Sequence, residues 1–138
     1  MLRYMLDTNL CLRVLRDRPQ ELRVRFNQEA ELLCISTIVL TVLLYGAEKS
    51  SRSVENRREV ERLAARLQVL QFDETAASHS AEIRAGLERR GFPIGGCDVL
   101  IAGRARSRGL VVVTGNLREF NRVDGLRSED WLAGRTEV

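Results

Sequence analysis

The chain has a single histidine, His79, and three cysteines, Cys11, Cys34 and Cys97, with no C-x-x-C pair among them. A zinc site built from histidine and thiolate is therefore excluded, and any bound metal has to be held by oxygen. The three thiols sit among apolar neighbours and read as buried small hydrophobes. Long apolar runs are also missing. The least polar stretch, residues 35–47, falls short of the ~20 residues that cross a bilayer and is interrupted by Ser36, Thr37 and Thr41. No apolar leader core follows Met1, because Asp7 stands where one would run. These absences predict a cytoplasmic chain with no membrane span. No G-x-G-x-x-G occurs, which excludes the dinucleotide-binding fingerprint. Lys49 is the only lysine, whereas receiver domains need one beyond a late strand, and Asn9 stands where a haloacid-type phosphatase needs a second acid.

What is present is a chain of 138 residues, 44% hydrophobic and 30% charged, which is enough to bury a core and too apolar for intrinsic disorder. One domain over residues 1–138 is expected, with residues 134–138 as a disordered tail. The net charge is only +3, yet all but one of the 22 basic residues are arginine. Guanidinium forks suit phosphate, and they indicate a nucleic-acid partner only if they cluster on one face.

Residues 3–6 read as a strand ending in the cap-type residues Asp7, Thr8 and Asn9. Leu10, Val14 and Leu15 continue at helical spacing until Asp17-Arg18-Pro19, and Pro19 suits the first turn of a second helix bearing Leu22 and Phe26. A buried strand is predicted over 32–35, a helix over about 38–49 capped by Ser36 or Thr37, and another from about Val54 through Leu67. A short strand over 69–72, a helix over 75–90 stopped by Gly91 and Pro93, and a helix from Asp98 to Arg108 follow. Residues 110–113 are consecutive apolar residues, expected to be buried on both faces of a parallel sheet. Alternating strands and helices predict an α/β fold, a three-layer sandwich with a short central parallel sheet. Trp131 is expected to anchor the C-terminal segment in the core.

In such sheets ligands bind beyond the carboxyl ends of the strands. Asp7 follows the first strand, Ser36 and Thr37 the second, and Thr114-Gly115-Asn116 the last, with Glu119 one helical turn further and Asp98 heading the helix that returns to it. Asp7, Asp98, Asn116 and Glu119 thus gather at one edge. Clustered carboxylates repel unless a cation neutralises them, and a hard divalent ion, magnesium or alternatively manganese, is the natural occupant. The matching chemistry is phosphodiester hydrolysis. Taken one at a time, Asp7, Asp98 and Asn116 could each be only a helix cap and Glu119 a first-turn acid; their common placement is what favours a site. Thr8, Asn9, Ser36 and Thr114 are candidate substrate-binding residues beside it. Arg13, Arg16, Arg18, Arg89, Arg90, Arg104 and Arg108 are candidate phosphate contacts, with solvated helix faces as the equal alternative.

Five blocks carry a family resemblance: Met5-Leu6-Asp7-Thr8-Asn9; Ser36-Thr37 with Tyr45-Gly46-Ala47-Glu48-Lys49-Ser50; Gly95-Gly96-Cys97-Asp98; Val113-Thr114-Gly115-Asn116 with Glu119-Phe120; and Glu129-Asp130-Trp131. On these the chain resembles PIN-domain ribonucleases, specifically VapC-type toxins of bacterial toxin-antitoxin pairs, over nearly its whole length. The resemblance implies a magnesium-dependent endoribonuclease that forms homodimers and is inhibited by a cognate VapB-like antitoxin. It also implies a larger toxin-antitoxin complex that binds operator DNA through the antitoxin. Structured RNA such as tRNA is the implied substrate, and the tyrosine-to-serine block points to the initiator tRNA anticodon stem-loop. Asp7 and Asp98 match the family's metal-binding aspartates, and the segment from Asn116 to Glu119 matches the region that supplies a further polar or acidic residue.

One position departs. The family carries a glutamate four residues before the glycine that is Gly46 here, and this chain has Val42. Glu48 is not a replacement, since six helical residues turn the chain by about 600° and move it ~9 Å along the axis. Loss of that carboxylate implies weakened metal binding and an attenuated or inactive form. The alternative from a different class is a non-catalytic PIN protein that binds RNA or an antitoxin without cleaving.

Overall fold

The computed structural model describes residues 1–16 and 19–132. Asp17 and Arg18, and the expected tail at 134–138, lie outside the described residues. Five parallel strands form one sheet in the order β3-β2-β1-β4-β5, where β1 is Tyr4–Leu6, β2 Leu33–Ser36, β3 Gln68–Leu70, β4 Val111–Val113 and β5 Arg127–Glu129. The connections are α1 (Thr8–Leu15), α2 (Gln20–Glu29), a 3-10 turn at Ala30–Leu32, α3 (Thr37–Glu48), α4 (Ser53–Ala65), α5 (Glu74–Arg89), α6 (Gly96–Ser107) and α7 (Leu117–Phe120). The α/β sandwich expected from the sequence is therefore found.

The three central strands are fully buried, with Met5, Leu6, Cys34, Ile35, Val112 and Val113 at 0% exposure. Burial on both faces follows from helices covering the sheet, as the continuous apolar runs required. Side chains such as Met5, Leu6, Phe26 and Phe120 each contribute roughly 1.5–3 kcal/mol by leaving water. The edge strands differ. Gln68–Leu70 begins one residue earlier than expected and leaves Gln71 and Phe72 outside it. Arg127–Glu129 was not foreseen, because it carries no apolar alternation; it forms by pairing with β4, Val111 opposite Arg127 and Val113 opposite Glu129. Charged residues are typical of an edge that must not recruit another chain.

One further expectation changes and one holds. Cys11 and Cys34 are buried, but Cys97 is exposed at the start of α6. Trp131 is anchored as expected: its ring meets Tyr4 edge-on at 5.2 Å, and the Arg25 guanidinium covers it at 4.1 Å. On the other side of the sheet α5 and α6 approach closely, since a Cβ at Gly103 would lie 1.9 Å from Ser80 Oγ and 2.8 Å from its backbone nitrogen.

Strand order places the site. The chain leaves β1 toward β2 and leaves β4 toward β5, so two neighbouring strands send their connections in opposite directions. Right-handed crossovers then carry those connections to opposite faces and open a crevice at the carboxyl ends of β1 and β4.

Candidate functional site

Asp7 leaves β1 at that crevice and is 4% exposed. One of its oxygens, Oδ1, accepts the Leu10 backbone N–H at 2.9 Å and caps α1; the other accepts a short hydrogen bond from the Thr114 hydroxyl. The cap reading and the site reading of Asp7 are thus compatible. Burial pushes its carboxyl above the usual range, against the pull of those two donors, and the negative charge of Asp130 adds to the rise. Thr114 in turn accepts the Asn116 backbone N–H at 2.8 Å, which fixes the turn out of β4.

Asp98 lies in the first turn of α6, half-buried. Burial, a hydrogen bond shared with Glu119, and the charges of Glu119 and Asp7 raise its carboxyl to about 7 from an ordinary 3.8. Glu119, in the single turn of α7, accepts 2.9 Å from the Asn116 side-chain amide. That bond accounts for Asn116, which makes no side-chain cap to α7. The structure therefore brings together Asp7, Asp98, Asn116 and Glu119.

Other candidates separate. Ser36 is fully buried and spends its hydroxyl capping α3 through Val39 N–H at 3.2 Å, so it does not face a substrate. Thr114 is likewise at 0% exposure and acts on Asp7. Arg104 is 5% exposed, 3.6 Å from Asp73 and bonded to Ser107, and burial removes it as an RNA contact. Thr8 is half-buried and Asn9 and Arg13 are exposed near the site. Asp130, directly after the unforeseen β5, was noted only within the Glu129-Asp130-Trp131 block; its place near Asp7 gives no signal until that strand is known.

Two depressions are lined by the residues that follow Asp7, one by Thr8 and the other by Asn9. One, of about 540 Å³, is lined by Thr8, Val42, Leu43, Tyr45 and Val60. Val42 thus shares a groove with Thr8, the residue next to Asp7. Glu48 points elsewhere and pairs with Arg57 at 2.7 Å. The second depression, of about 830 Å³, is polar, with Asn9, Arg13, Arg16, Asn116 and Asp130 in its wall.

The donor chemistry fits a hard divalent cation. Burial first, and then the nearby acids Glu119 and Asp7, raise the Asp98 carboxyl, a combination that a divalent cation would offset. Among the described residues no three histidine, cysteine or acidic side chains close around one point. Magnesium does not require that, since it is commonly held by one or two carboxylates with water and substrate phosphate completing its shell.

Residues 4–126 match the sequence profile described as "PIN domain". The chain is 52% identical over 131 residues to the tRNA(fMet)-specific endonuclease VapC of Salmonella typhimurium, covering 95% of this chain and 99% of the relative. It is 50% identical over 131 residues to the enzyme of the same name from Shigella flexneri, with the same coverage. The crystal structure of DNA-bound VapBC from Salmonella typhimurium superposes with a TM-score of 0.91 at 52% identity, covering 95% of this chain and 99% of that one.

Proposed function

Because the chain belongs to the PIN-domain family, we propose that it is a VapC-type toxin, a divalent-metal-dependent endoribonuclease that cuts the initiator tRNA in its anticodon stem-loop. The observation that carries this reading is the convergence of Asp7, Asp98 and Glu119 where β1 and β4 diverge. Its partners are a VapB-like antitoxin, a second copy of the chain, and operator DNA reached through the antitoxin; the relative of known structure is itself a DNA-bound VapBC. Among the described residues no helix is long and apolar enough to cross a membrane, which accords with action in the cytoplasm.

Asp7 and Asp98 would hold the metal, magnesium or manganese. When bound, the cation acidifies water and offsets charge on the phosphodiester. The protein's own contribution is positional. Thr114 fixes the Asp7 carboxylate, and the α1 backbone holds its other oxygen. Asn116 holds Glu119, which shares a hydrogen bond with Asp98, and Asp98, raised to about 7, is placed to hold a proton at the crevice near neutral pH. Val42 supplies no oxygen, so one wall of the crevice lacks a group that could orient the attacking water. This observation favours the second reading, a PIN protein that binds RNA or antitoxin with little or no cleavage.

The test is cleavage of initiator tRNA in magnesium, with EDTA and Asp98→Asn as controls. Metal-dependent cutting that Asp98→Asn lowers by at least about a hundredfold supports the enzyme, whereas binding without cutting supports the second reading.

A further inference from the structure

We infer that the polar depression on the β5 side of Asp7 is a nucleotide subsite, in which Arg13 and Arg16 carry a phosphate and Asp130 reads the edge of an RNA base bearing an exocyclic amino group, guanine above all. The inference rests on the endoribonuclease reading and specifies which nucleotide chemistry that site selects.

The depression measures about 830 Å³, inside the range of roughly 300–1,000 Å³ typical of small-ligand sites. Its two walls have opposite chemistry. Asn9, Arg13 and Arg16 line the α1 wall at spacings of four and three residues, which puts them on one helix face. Gly115, Asn116 and Asp130 come from the ends of β4 and β5 across from it. Asp7 caps α1, whose face lines one wall, and accepts from Thr114, which precedes Gly115 of the other, so a nucleotide seated here lies near the candidate metal ligand.

Asp130 is held for recognition. Its Oδ1 accepts the Leu132 backbone N–H at 2.7 Å, which restrains the carboxylate, and Asp130 lines the depression. Among the described residues no ion pair joins Asp130 to Arg16, although both line the depression. A mixed-sign cleft matches a nucleotide, anionic at one end and rich in N–H donors at the other. Guanine offers a carboxylate two adjacent donors, N1–H and the N2 amino group. Cytosine offers one amino group, and uracil presents a single N–H flanked by two repelling carbonyl oxygens.

The test measures binding without cleavage: fluorescence anisotropy in EDTA and low salt, with labelled uridine pentamers carrying a central guanosine, cytidine or uridine. The expected order is guanosine, cytidine, uridine, with about tenfold between the first and last. Asp130→Asn keeps an oxygen for Leu132 N–H and so should fold with an unchanged melting temperature, yet bring the three pentamers within about twofold of one another. Arg16→Gln should weaken all three alike and lower the salt slope by about one. Equal binding by the unmodified protein, or a guanosine preference that survives Asp130→Asn, overturns the subsite. No binding by any pentamer overturns it too, and the nuclease reading is then decided separately by the cleavage assay, which uses none of these variants.

Discussion

Asp7 and Asp98 are the same residue type at one crevice, and the fold treats them in opposite ways. Asp7 is almost fully buried, with each oxygen engaged by a donor from the chain itself. Asp98 is half-exposed, and its principal neighbours are acids. The first is built into the scaffold and contributes to folding through the cap of α1; the second is disfavoured in its charged form by burial and by neighbouring acids, and contributes little to folding without a cation. The difference teaches that a carboxylate can be structural and chemical at once, and that hydrogen-bond donors distinguish the two duties.

Removing Asp7 should separate them most. Asp7→Ala loses a cap and strands the Thr114 hydroxyl, which together cost about 2–4 kcal/mol in chemical denaturation, whereas Asp98→Ala should be neutral or stabilising in metal-free protein at pH 8. Equal losses would erase the contrast. Thr114→Val tests the same contact from the other side and should cost about 1–3 kcal/mol, since Asp7 keeps its burial and loses a donor.

A smaller effect sharpens the Asp98 side. Its folded value near 7 exceeds the ordinary 3.8, so the folded state binds a proton that the unfolded state releases. This contribution to stability is fully present below about pH 4 and is lost as pH rises through about 7. Burial of Asp7 acts in the same direction. The melting temperature of metal-free protein should therefore fall over that window, and Asp98→Asn should flatten the fall. Stabilisation by added magnesium should grow over the same window, because the ion binds the deprotonated acids. A metal effect independent of pH would place the ion elsewhere.

The sequence was legible where residues act locally or through burial. The runs ending at Ile35 and Val113 announce buried parallel strands, and Asp7 before Thr8-Asn9 announces a cap that is also a strand end. Cap and turn chemistry located α3 through Ser36, although the same residue was over-read as a substrate contact because burial depth is not encoded in one residue. Arg104 failed for the same reason: an arginine in a helix reads as solvated until its neighbours pack over it. The strand β5 was invisible, since Arg127-Ser128-Glu129 becomes a strand only through pairing with Val111–Val113, a contact between distant segments; Asp130 was noted only as part of the Glu129-Asp130-Trp131 block, with no site role. Val42 was legible solely through the family pattern; its groove with Thr8 emerged from the packing of α1 against α3.

The most direct measurement compares this chain with its Val42→Glu variant, side by side, on initiator tRNA in magnesium. An acid added at the Thr8 wall should complete the crevice and raise metal-dependent cleavage by at least about tenfold, with Asp98→Asn abolishing the gain. Equal cleavage by the two proteins would contradict the account, because the groove at position 42 would then have no part in the chemistry beside Asp7.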